Sequence, residues 1–151
     1  EAATLTVSAY RLCGALGMLV GGFVAAYGHS HRWSSDRVVA ISMSSGAVLL
    51  LVCATGWLGA VGTMAALAAT GFAVGVGGPS RDMMIKKATP KGATGRVYGT
   101  VYSGLDVGFA ISPLVFGTFM DRGWYALTLA GAAVVLAISV LAAVGVGRRT
   151  A

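Results

Sequence analysis

Charge is what this sequence has least of. Only 11% of its 151 residues are Asp, Glu, Lys or Arg, against about a quarter in soluble domains. Acids are the scarcest: Glu1, Asp36, Asp82, Asp106 and Asp121 are all there are. So few charges exclude an ordinary soluble domain. Prolines number 3, so the apolar stretches run almost unbroken. The 2 cysteines, Cys13 and Cys53, both lie in apolar runs and read as free thiols buried in a membrane. His29 and His31 flank Ser30 in a polar loop with no carboxylate or cysteine beside them, so no metal site is expected. No nucleophile–base set and no paired carboxylates are present, and no enzyme is expected. The stretch ATPKGATGR lacks the residue order of a phosphate loop. The stretch GVGGPS at 75–80 misses the third glycine of a dinucleotide fingerprint and follows an apolar run, not a strand. No cofactor is therefore expected. The net charge of +6 does not point to nucleic acid, because basic nucleic-acid-binding domains are polar.

What is abundant is apolar. The chain is 56% hydrophobic, with 23 glycines and a mean hydropathy of +0.80. A spanning helix needs about 20 apolar residues. Five runs qualify: Leu5–Tyr27, Val38–Gly56, Leu58–Gly78, Val97–Met120 and Trp124–Val146. A segment in lipid must satisfy its own backbone hydrogen bonds, so helices are predicted. The short alternating strands of a membrane barrel are missing. The fold class is all-α and integral to the membrane.

The connections carry the orientation. Nine of the 11 cations fall in segment 28–37, in segment 79–96 or in the tail at Arg148 and Arg149. By the positive-inside rule these segments are cytoplasmic, as is the C-terminus. Arg122 is then outside, and Arg11 lies within the first run. Trp33, Trp57 and Trp124 stand at span ends, as an aromatic belt requires. Segment 79–96 is expected to be a basic loop broken by proline. An external N-terminus at Glu1 without a signal sequence leads to the expectation that at least one span precedes it.

Several residues stand out within the spans. Gly17 and Gly21 form G-x-x-x-G on the first, and Gly71 and Gly75 do so on the third. On the fourth, Gly104, Gly108 and Ser112 recur every four residues, followed by Pro113 and Gly117. Residues four apart share a helix face, and small ones let helices approach closely. Such faces serve static packing or a surface along which helices rock; Pro113 removes one backbone hydrogen bond and can kink its helix.

Asp106 lies about 13–14 Å into the fourth run, near the middle of a ~30 Å core. A carboxylate there costs at least about 2.5 kcal/mol. It belongs to a substrate, proton or gating path, or is hydrogen-bonded to another helix. Arg11 is about 9 Å below the outer boundary. It snorkels outward or binds an anion; pairing with Asp106 would have to close a depth gap of about 12 Å. Tyr10, Tyr98 and Tyr102 are candidates to line the same cavity. In segment 79–96, Arg81, Asp82, Lys86, Lys87, Lys91 and Arg96 suit contact with anionic headgroups or a cytoplasmic gate of breakable ion pairs.

Arg81-Asp82, Pro90, Gly92, Gly95-Arg96, Gly99, the run Gly104-Leu-Asp-Val-Gly108, Ser112-Pro113, Gly117 and Asp121-Arg122-Gly123 together resemble the tenth and eleventh helices of a major facilitator superfamily transporter. Bacterial efflux members, including fosmidomycin-resistance-like carriers, are the nearest in character. The resemblance implies that the five spans are helices eight to twelve of an incomplete C-terminal bundle. After the first span, Gly21, Gly28 and Arg32 fit the family's loop motif. Ala25 and Ala26 stand where it has an acid–base pair, and Ser30 and His31 where it has basic residues. The implied function is secondary active transport of a small molecule by alternating access, in the efflux direction, in the bacterial inner membrane. The implied partners are the lipid bilayer, the substrate and an N-terminal half missing from this chain. The alternative is a non-transporting membrane fragment or assembly module.

Overall fold

The structure is a computed structural model that describes residues 2–28 and 35–150. The readings made for Glu1, His29, Ser30, His31, Arg32 and Trp33 lie outside the described residues, as do the side chains of Arg148 and Arg149. The five expected spans are five helices: α1 (Ala2–Gly28), α2 (Ser35–Ala54), α3 (Gly59–Ala88), α4 (Thr94–Asp121) and α5 (Tyr125–Thr150). All are long and apolar enough to cross a membrane, and no strand occurs among the described residues.

Helix α3 organises the bundle. It packs along α1 on one flank and α2 on another, and α2 in turn packs along α5. The α1–α3 contact is made by the two glycine pairs. A Cβ placed on Gly17 would lie 3.0 Å from the carbonyl carbon of Phe72, and one on Gly21 would lie 2.9 Å from that of Val76. From the other side, a Cβ on Gly75 would meet the carbonyl oxygen of Gly14, and one on Gly71 that of Tyr10. Backbone therefore lies against backbone. Lipid tails are as apolar as leucine, so such an interface rests on van der Waals fit and not on burial from water. The register rises along both helices together, so α1 and α3 run parallel.

The α2 contact is looser and uses side chains. Gly77 faces Ser42 and Met43, while Gly46 faces Val74, Thr70 and Leu136. Val38, Val39, Met43, Ala47, Leu50 and Cys53 form most of the buried apolar core. This register falls along α3 as it rises along α2, which makes the two antiparallel. Thr70 is buried on α3, and its hydroxyl donates to the Ala66 carbonyl at 2.9 Å, so it carries no unmet demand into the apolar interior.

The α4–α5 turn has the Schellman geometry. The amide of Gly123 donates to the Met120 carbonyl at 2.9 Å, and that of Trp124 to the Phe119 carbonyl at 2.8 Å. Gly123 supplies the required positive φ of 75°. The rings of Phe119 and Trp124 meet at 6.3 Å, and the Arg122 guanidinium lies 5.3 Å from the Trp124 ring.

One expectation fails. Segment 79–96 is not a loop from its start: α3 continues through Pro79 to Ala88. Proline disfavours helix in the residue before it by clashing with that residue's Cβ. That residue is Gly78, which has none, so this part of the clash is absent. Helix α4 also continues through Pro113, which follows Ser112, so the missing Cβ eases the passage but is not required for it. Only residues 89–93 connect α3 to α4. There the Ala93 amide reaches the Pro90 carbonyl at 3.1 Å, with Gly92 at φ 85°.

The packing predicts a sharp contrast between neighbours on α1. Gly21→Ala drives a methyl into the α3 backbone and should destabilise the protein by about 1–3 kcal/mol. Gly22→Ala meets nothing within 4 Å, and should be neutral or stabilising by up to about 1 kcal/mol. Unfolding in mixed micelles, followed by circular dichroism, measures both.

Candidate functional site

Two features stand apart from the packed bundle: an interhelical cleft and the surface of α4. The cleft opens where α1, α3 and α4 meet. It is an open depression of about 530 Å³ lined by Gly22, Ala25 and Ala26 of α1, by Pro79, Asp82, Met83 and Lys86 of α3, and by Tyr98 of α4. The parallel α1–α3 register brings these segments together: four residues beyond Gly21 lies Ala25, and beyond Val76 come Pro79 and Asp82. The continuation of α3 through Pro79 is what carries Asp82 and Lys86 to this position on a helix.

Asp82 is paired with Arg81, whose Nη2 and Nε both lie 3.3 Å from Oδ1. Adjacent helix residues diverge around the axis, which explains why both contacts are long. Both side chains are about half exposed, so the pair contributes little to stability. Lys87 and Arg96 are exposed and do not line this cleft. The alanines at 25 and 26 leave the α1 wall of the cleft without charge, so its ionic groups come from α3.

Helix α4 presents the second feature. None of its residues is buried, and it touches α5 and α3 only slightly. Tyr98, Tyr102 and Asp106 recur every four residues and so share one face. The two tyrosine rings stack at 6.1 Å with 15° between planes. This face runs from the cleft, at Tyr98, to Asp106 about 12 Å further along the helix. Asp106 is exposed, and among the described residues its carboxylate has no ion-pair partner.

Arg11 is exposed on α1. It lies about 17–22 Å from the α1 cleft residues along the helix. Counted from the cleft, its depth differs from that of Asp106 by about 5–10 Å, less than the spans alone suggested. The two are not joined by a salt bridge. Tyr10 packs on Gly71 of α3.

The glycines of α4 behave unlike those of α1 and α3. Around Gly104, Gly108 and Gly117 a Cβ would meet nothing within 4 Å, while Ser112 is half-buried and Pro113 is exposed within the helix. The same spacing that locks α1 to α3 thus brings no neighbour onto these α4 glycines among the described residues. The contributions of Ala25, Ala26, Met83 and Tyr98 to one cleft were not foreseen as a set. The aligned glycine pairs at 17/21 and 71/75 were the signal that set the α1–α3 register.

Five apolar helices in a glycine-packed bundle, with a mid-helix carboxylate on an uncovered helix, define a multi-pass membrane protein. The model of the family described as Major Facilitator Superfamily matches residues 1–150, and the chain belongs to that superfamily. Its members move small molecules across membranes and are transporters, not enzymes. No curated protein and no solved structure matches the chain.

The exposed geometry of the Arg81–Asp82 pair predicts that Asp82→Asn changes folding stability by less than about 1 kcal/mol. Thermal unfolding in detergent checks this. A larger loss would show that Asp82 supports the fold itself.

Proposed function

We propose that this chain forms part of a secondary active carrier that exports a small molecule across the bacterial inner membrane by alternating access. One observation carries the reading. Helix α4 is the least apolar of the five spans, yet it is the one with nothing buried. A helix facing lipid should be the most apolar; α5 is that helix. An exposed α4 carrying Asp106 and a ladder of small residues calls for a protein partner or an aqueous path.

On this reading the partner is the N-terminal half of the carrier, and the Tyr98–Tyr102–Asp106 face lines the route between the halves. Asp106 binds the substrate or a coupling proton. Arg11 lies on the α1 wall, about 5–10 Å from Asp106 in depth and not paired with it. The cleft residues Asp82 and Lys86, with Arg81, Lys87 and Arg96 around them, belong to the cytoplasmic gate; the charge bias supports reading this end and the C-terminus as cytoplasmic. Gly104, Gly108, Ser112 and Gly117 are the surface against which the other half moves, with Pro113 setting the shape of the helix there. The five helices alone hold one wall of the route and do not transport.

A helix-packing module without transport is the competing reading, and it gives Asp106 no task in flux. The test is dye accumulation by an efflux-deficient bacterium expressing the carrier. Asp106→Asn should reduce efflux at least about tenfold, the scale of one lost charge-assisted contact, with membrane levels unchanged. Asp106→Asn with undiminished efflux contradicts the proposed role.

A further inference from the structure

A second groove lies beside the cleft, at the junction of α3 and α4. It is an open groove of about 530 Å³ lined by Lys86, Thr89, Pro90, Lys91, Thr94 and Tyr98. It shares Lys86 and Tyr98 with the cleft but differs from it in charge: it has two ammonium groups and no carboxylate in its lining. Asp82, the nearest acid in sequence, is engaged with Arg81 on the cleft side.

The two charged side chains in its lining, Lys86 and Lys91, are both donors. Thr94 opens α4, and the residue before it, Ala93, offers no side-chain cap. The first amides of α4 therefore lack intrahelical acceptors and add positive potential at the groove, partly offset by the last carbonyls of α3, of which those of Ile85 and Lys86 already accept from the Thr89 hydroxyl and amide. Thr89 does not compete for a ligand, because its hydroxyl already donates to the Ile85 carbonyl at 2.6 Å. The turn from Pro90 to Ala93 holds Lys91 beside the end of α3, with Gly92 at φ 85° making that turn possible.

The groove also has a defined level. At 30 residues, α3 is about 45 Å long, against a hydrocarbon core of about 30 Å. Its last turns, with Lys86, therefore project into the headgroup layer.

We propose that this groove binds a phosphate group, through Lys86, Lys91 and the start of α4, and that the phosphate is the headgroup of an anionic phospholipid. Seated there, the headgroup ties the end of α3 to the start of α4, the helix least held by the rest of the bundle. The site needs only the membrane placement of the chain and stands whether or not Asp106 takes part in transport.

The test uses the whole chain in phosphatidylcholine vesicles containing a small fraction of phosphatidylglycerol, with lipid retention read by native mass spectrometry after extraction. Lys86→Gln and Lys91→Gln should each reduce phosphatidylglycerol retention about tenfold or more, the scale of a hydrogen bond to a charged group. Lys87→Gln removes an equal charge from the same helix end but not from the groove. Its effect should stay below about fivefold, as for a cation merely near an anionic surface. All three residues are exposed, so the fold is not at issue. A parallel arm adds inorganic phosphate. Retention that persists supports the lipid as occupant, whereas displacement supports the phosphate site but assigns it to a soluble anion. Equal losses for all three variants, or no loss at Lys86 and Lys91, would overturn the proposal.

Discussion

Everything else in this structure hangs on the direct contact between the backbones of α1 and α3. Gly17 and Gly21 on one helix, with Gly71 and Gly75 on the other, leave no room for a single added methyl. In lipid no hydrophobic force draws helices together, so close fit must do so. The contact fixes the register of two parallel helices, and that register places Ala25 and Ala26 opposite Asp82 and Lys86. Slide one helix by a turn and the cleft loses its lining. Helix α2 and then α5 build outward from this pair through larger side chains.

Helix α4 is the counterpart to that rigidity. It is joined to α3 by a tight turn at one end and to α5 by a glycine-closed turn at the other, and little holds it between. Its glycines have the spacing that works on α1 but meet no neighbour among the described residues. Its polarity runs opposite to what a lipid-facing helix should show. A firm scaffold and a lightly held helix bearing a mid-helix carboxylate suit a carrier, in which one wall must move relative to another.

Much of the fold was legible in the sequence. Five apolar runs became five helices, because length and hydropathy suffice when the backbone must satisfy itself. The end of α3 was not legible, because Pro79 reads as a stop. The helix passes it, as α4 passes Pro113, because proline inside a membrane helix is tolerated when neighbours satisfy the freed backbone groups. The glycine spacings were visible on three helices, but spacing cannot say which face meets a neighbour: α1 and α3 use theirs against each other, and α4 does not. The candidate site was legible only in parts. Asp106, Arg11, Tyr102, Asp82 and Lys86 stand out by chemistry. That Asp82 and Lys86 share a cleft with Ala25, Ala26 and Tyr98, while Arg11 stays apart, depends on helix register, which no single helix encodes.

The central claim is that α4 faces protein or water, not lipid, in the membrane. A cysteine scan across 102–112 in the membrane-embedded carrier, labelled with a water-soluble thiol reagent, tests it most directly. The account predicts labelling with helical periodicity: strong at 102, 106 and 109, weak at 104, 108 and 112. Uniform protection of all positions, as for a helix bathed in lipid, would contradict it.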